Sequence, residues 1–155
     1  MAAKTSPRPA RARSLGIGRV LVAVYGILAL AATGRSVFQI IDRFAEAPLA
    51  FSLSALSAVV YIVATIALVA PGAPWYRVAR LTIGFELVGV LVVGTISLVS
   101  PGLLGLHSIN PFGREATVWS AYGLGYLLIP LVLPVLGLLY LRARRPASIP
   151  TDGSA

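Results

Sequence analysis

Four long apolar runs, separated by short polar or proline-rich breaks, set the organisation of this chain. The first begins after Arg19 with "VLVAVYGILALAATG", is interrupted by Arg35, and resumes as "SVFQII". The second, "LAFSLSALSAVVYIVATIALVA", covers Leu49 to Ala70. The third runs from about Val78 to Val99, and the fourth, "TVWSAYGLGYLLIPLVLPVLGLLYL", from about Thr117 to Leu141. A hydrocarbon core of about 30 Å takes about 20 helical residues, so each run is long enough to span. None alternates apolar and polar residues as a barrel strand does. Pro48, Pro71, Pro74 and Pro101 fall at the ends of runs, where proline starts or stops a helix. Pro130 and Pro134 lie inside the fourth. Each removes an N–H and strands a carbonyl, so a bend is expected near Ile129 to Leu133. The pattern predicts an all-α fold, a bundle of four transmembrane helices over residues 17–142. The Pro-, Arg- and Ala-rich start (1–16) and the end (143–155) bury too little to order themselves and are expected to be disordered tails.

Composition supports this reading. Only 12% of residues are charged and the mean hydropathy is +0.88, whereas a soluble domain carries about 25% charge. The net charge of +8 does not indicate a nucleic-acid partner, because the basic residues flank apolar runs and form no basic fold. The absence of cysteine excludes disulfides, iron–sulfur clusters and thiol catalysis. A basic start followed by a short apolar stretch and Ala29-Leu30-Ala31 also resembles a cleavable signal peptide. The apolar pattern continues past that point, which argues for a span.

Charge then predicts the orientation. With four spans, one side carries Lys4, Arg8, Arg11, Arg13, Arg19, Arg77, Arg80, Arg142, Arg144 and Arg145, and the other Arg35, Arg43 and Arg114. Cytoplasmic flanks hold the excess of Lys and Arg, so a plasma-membrane protein with both termini cytoplasmic is expected. Trp75, Tyr76 and Tyr140 at the inner boundary and Trp119 and Tyr122 at the outer one read as an aromatic belt.

At 100° per residue each run has a face of small or polar residues. These are Tyr25, Ala29, Ala32, Ser36 and Gln39 on the first, and Ser54, Ser57, Ala58, Tyr61 and Thr65 on the second. On the third they are Thr82, Glu86, Gly89 and Ser97, and on the fourth Tyr122, Gly125 and Tyr126. Small residues let membrane helices approach and hydroxyls bond across the contact, so the four faces should meet. A packed bundle with no cavity accounts for them more simply than a lined pathway.

The candidate chemistry is intramembrane. Glu86 lies six residues past Arg80, about 9 Å deep, and Arg35 sixteen past Arg19, about 24 Å from the same surface. The difference of about 15 Å is too large for a salt bridge. Two polar layers follow: an inner one of Glu86, Tyr25 and Thr65, and an outer one of Arg35, Ser54, Ser97 and Tyr126. A carboxyl buried without a cation is expected to be neutral and to donate one hydrogen bond, with the carbonyls freed by Pro130 and Pro134 as acceptors. The plainer alternatives are a structural strut at Glu86 and snorkelling of Arg35 to the interface.

Elsewhere the signals are weak. "RSVFQIIDRFAEAPL" reads as the first helix continuing to, or bending along, the outer interface. Asp42 and Glu46, one turn apart, have a spacing that can hold a cation, but a solvated helix end is the favoured reading. His107 is the only histidine and Met1 the only methionine, so neither a metal nor haem is expected. No nucleophile–base pair, phosphate loop or metalloprotease motif is present, and no cofactor is expected.

The stretches "TGRSVFQIIDRFAEAPLAFSLSALSAVVYIVATIAL", "GFELVGVLVVGTISLV" and "ATVWSAYGLGYLLIPLVLPVLGL" resemble small four-helix integral membrane proteins of high-GC actinobacteria, over roughly Gly16 to Leu141. The twelve arginines to one lysine fit such a source. The resemblance implies fold and location and carries over no catalytic residue. On these grounds the expected function is that of a small non-enzymatic accessory or structural subunit, with the bilayer and other membrane proteins or a second copy as partners. A small transporter or channel-like protein using Glu86 and Arg35 is the alternative, and a membrane-embedded enzyme the third reading.

Overall fold

A computed structural model describes residues 10–144, with side chains from residue 16 onward. It is all-helical. Three long helices follow one another: α1 (Ala10–Arg43), α2 (Pro48–Val69) and α3 (Ala73–Val99). A 3-10 turn (Pro101–Leu104), an irregular stretch and a second 3-10 segment (Ser120–Tyr126) then lead to α4 (Ile129–Ala143). α1 already runs from Ala10, where the sequence suggested a tail to residue 16. The remainder of the two expected tails, apart from residues 143–144, lies outside the described residues.

The punctuation is local. Pro48 and Pro74 sit in the first turns of α2 and α3, where the missing N–H would have had no intrahelical partner. α1, α2 and α3 are each long and apolar enough to cross a membrane. α4 is not, because fifteen residues reach only about 22 Å. Together with the Ser120–Tyr126 segment it makes a pair bent by 98°, which counts as a fourth span only if the two are taken as one broken element.

The continuous fourth helix expected from Thr117 to Leu141 is therefore corrected. The break falls over residues 120–128, ahead of the expected bend at Ile129 to Leu133. Ala121, Tyr122, Gly123, Leu127 and Leu128 all have left-handed backbone (φ 47°, 58°, 79°, 57° and 60°), which no right-handed helix accommodates. Pro130 starts α4 at its first turn instead of bending it, and Pro134 is carried inside it. The Pro130 ring packs on Gly123, where a Cβ would fall 2.6 Å from Pro130 Cγ. A residue with a side chain at 123 would thus be opposed both by this contact and by its left-handed φ.

The core forms where the small and polar faces meet. Tyr25, Ala29, Ala32, Ser36 and Gln39 of α1 are all buried, as are Ser54, Ser57, Ala58 and Tyr61 of α2 and Glu86 and Ser97 of α3. Large apolar side chains point outward around the bundle, among them Leu30, Ile41, Leu81 and Val88. This inverts the soluble pattern and is what helices facing lipid require. The fourth face, Tyr122, Gly125 and Tyr126, is only half-buried and lies on the broken segment rather than on a helix.

Candidate functional site

The central cluster takes its side chains from three helices and the connection ahead of α4. The Tyr25 hydroxyl on α1 donates to Glu86 Oε2 on α3 at 2.7 Å. The Tyr25 ring leans on Tyr61 of α2, with centroids 6.2 Å apart at 52°. The Tyr61 hydroxyl in turn accepts from Trp119 Nε1 at 3.0 Å. All four side chains have at most 1% of their surface exposed, and Glu86 has none. α4 closes this level at Gly137, where a Cβ would stand 3.2 Å from Ile83 and 3.5 Å from the Tyr25 hydroxyl.

Glu86 thus faces the interior beside Tyr25, as its angular position predicts. Its role in the hydrogen bond differs from the expected one. The carboxyl accepts from Tyr25, and Oε1 has no partner. The carbonyls near Pro130 and Pro134 are not its acceptors. Thr65 does not join the layer either: its hydroxyl donates to the Tyr61 carbonyl one turn back in its own helix (2.7 Å), the common way a helical threonine satisfies itself.

Trp119 is the member that sequence reasoning placed elsewhere. Its place in the sequence puts it in the outer aromatic belt. Instead the chain around it turns into the bundle, and the indole lies over Gly89, where a Cβ would meet it at 2.8 Å. Phe85 packs edge-on against the same ring at 6.4 Å. The entry is fixed by a reciprocal pair. The Thr117 hydroxyl accepts from the Trp119 and Ser120 N–H groups, while the Ser120 hydroxyl accepts from the Thr117 N–H. The pairing is reciprocal in the manner of a capping box, but Ser stands where that motif has Glu or Gln, so "TVWS" carries no recognised sequence signal of the break.

The outer residues do not form one layer. Arg35 Nη2 donates to the Gly113 and Ala116 carbonyls (2.9 and 2.7 Å), and Gln39 Nε2 to the Arg114 and Ala116 carbonyls (3.0 and 3.5 Å). Two side chains of α1 therefore hold the connection between α3 and α4. Arg35 Nε and Gln39 Oε1 are buried without partners. Ser97 donates to the Gly94 carbonyl and accepts from the Ala121 N–H (both 2.8 Å), so it supports the left-handed break. The buried Ser54 hydroxyl bonds to nothing. Tyr126, half-buried against the core, bonds to none of the other three. Arg35 forms no ion pair with Glu86, in keeping with the separation inferred from helix rise.

At the C-terminal end of α1 Asp42 and Glu46 both pair with Arg43, at 3.3 and 3.5 Å. No group of three metal-ligating side chains occurs among the described residues. His107 meets Glu115: its backbone N–H donates to Oε2 at 2.9 Å and Nδ1 lies 2.8 Å from Oε1. That hydrogen bond raises the pKa of His107 above its usual value, and the two hydrogen bonds from His107, backbone first, lower that of Glu115.

Chemically, the central cluster is an acceptor carboxyl held by a phenol and walled by aromatic rings. It offers no activated nucleophile and no opening to solvent. Comparison of the chain with protein-family models, with curated proteins and with solved structures finds no match in any of the three.

Proposed function

We propose that this chain is a multi-pass plasma-membrane protein that serves as a non-enzymatic accessory or structural subunit, packing against other membrane proteins. The observation that carries the reading is the closure of the bundle over Glu86. The only core carboxyl among the described residues has no accessible surface, and its one bond is internal, to Tyr25. A solute or proton path needs water or a chain of titratable groups reaching the carboxyl, and Glu86 is sealed from the surface of the bundle. The proposed topology has four spans, the fourth being the bent pair of Ser120–Tyr126 and α4, with both termini cytoplasmic. Ten basic residues against three support that orientation.

Two measurements test these statements. The first is affinity purification in mild detergent, paired with flux assays of the pure chain in liposomes. The expected result is a membrane protein recovered at fixed stoichiometry and no Glu86-dependent proton or ion flux. A flux abolished by Glu86→Gln in a stable protein would replace the accessory reading with the transport one. The second is a set of reporter fusions at Ala155, expected to report a cytoplasmic C-terminus. An external reporter would overturn the topology.

A further inference from the structure

The two ends of the bundle differ in how their charges are balanced. The described carboxylates are Asp42, Glu46, Glu86 and Glu115. Three of them are engaged at the outer end, with Arg43 or His107, and the fourth is buried with Tyr25. The opposite end carries Arg19, Arg77, Arg80, Arg142 and Arg144, with no carboxylate among its described residues. Arg80 on α3 and Arg142 on α4 flank a pocket of about 250 Å³ whose walls are Tyr76, Gly84, Leu138 and Leu141. Neither arginine has a hydrogen bond or ion pair with a described residue, and both are exposed.

The pocket is shaped, not incidental. The Tyr76 hydroxyl donates to the Leu141 carbonyl at 3.0 Å, which ties the start of α3 to the end of α4 and commits that hydroxyl's proton. Gly84 stands one turn below Arg80, and a Cβ there would meet nothing within 4 Å. Leu138 stands one turn from Arg142 in the same sense. The result is a cleft flanked by two guanidinium groups, with Gly84 and Leu138 as its apolar floor one turn deeper.

We propose that this cleft binds the headgroup of an anionic phospholipid. The phosphate sits between Arg80 and Arg142, and the start of an acyl chain lies over Gly84 and Leu138. Guanidinium groups suit phosphate oxygens because they offer paired N–H donors. Basic pockets between helices at the cytoplasmic surface recognise lipid headgroups. The apolar floor favours a lipid over a free anion, which gains nothing from it. The pocket is also too small for an acidic partner helix, whose diameter with side chains is about 10 Å.

The inference rests on the membrane-spanning reading, whose failure would show separately as failure to insert into a bilayer. The full chain is reconstituted in phosphatidylcholine nanodiscs doped with phosphatidylglycerol, and lipid retention is read by native mass spectrometry. Wild type is expected to retain phosphatidylglycerol selectively, undisturbed by millimolar inorganic phosphate. Arg80→Gln and Arg142→Gln should each weaken retention about fivefold. Gly84→Leu, which fills the floor without changing charge, should weaken it comparably, while Arg77→Gln, at the same end but outside the pocket, should not. Thermal melts establish that each variant is folded. Three results would each overturn the proposal: displacement by inorganic phosphate, an equal loss in Arg77→Gln, or full retention in folded Gly84→Leu.

Discussion

Tyr25 and Glu86, sixty-one residues apart, are joined by a 2.7 Å hydrogen bond between α1 and α3 that no solvent reaches. Tyr25 is the donor and Glu86 Oε2 the acceptor, while Oε1 is left without a partner. Where the bilayer supplies no water, such a bond selects which helix faces meet, although its energy is modest.

Glu86→Gln should keep most of the stability, because the amide oxygen still accepts from Tyr25. Glu86→Leu should lose about 1–2 kcal/mol at most, and Tyr25→Phe about 1–3 kcal/mol, because it leaves a buried carboxyl with no donor. Reversible unfolding in detergent checks the values. If the pair is the interaction lost, Tyr25→Phe combined with Glu86→Leu should cost less than the sum of the single variants; strict additivity would contradict the pairing.

Gly89→Ala should destabilise by about 1–3 kcal/mol, because its Cβ would enter the space of the Trp119 ring. Trp119→Phe should itself destabilise, because it removes the donor to the buried Tyr61 hydroxyl, but should relieve part of the Gly89→Ala penalty. The intrinsic fluorescence of Trp119 should be blue-shifted and poorly quenched by aqueous iodide in a Trp75→Phe background. Easy quenching would place the indole outside the bundle.

Arg35→Met should release the connection between α3 and α4 without unfolding the bundle, since Gln39 still holds the Arg114 and Ala116 carbonyls. Hydrogen exchange over residues 110–117 should accelerate, with α2 unchanged. Combining it with Gln39→Leu should accelerate exchange further. Unchanged exchange in the double variant would show that the segment is held some other way.

The His107–Glu115 contact should make the same connection sensitive to pH. His107, with its pKa raised, adds stability that is present below its ordinary value of 6.5 and lost as pH rises through the higher folded one. Glu115, with its pKa lowered, adds stability that is present above its ordinary value of 4.5 and lost as pH falls through the lower folded one. Protection of the His107 amide should therefore be greatest between those two values and fall on either side. His107→Gln should flatten its alkaline limb; an unaltered profile in that variant would exclude the pair as the cause.

Much of this protein is determined along the chain. Run length, proline placement and helical periodicity determined α1, α2 and α3 and the faces they bury, because these are local properties of 3.6-residue geometry in an apolar sequence. The inward direction of Glu86 and its distance from Arg35 follow from rise and angle alone. The route of residues 117–128 does not. Tyr122, Gly125 and Tyr126 read as one more helical face and Trp119 as a belt residue, yet the break that the left-handed residues make between Ala121 and Leu128 is held by partners distant in sequence. Ser97 accepts the Ala121 N–H, Tyr61 accepts the Trp119 indole, and Gly89 leaves room for its ring. The acceptors of Arg35 were equally beyond the sequence, since the Gly113 and Ala116 carbonyls face α1 only once the connection has folded back. Backbone carbonyls are identical at every residue, so only the tertiary structure decides which of them meet a given arginine.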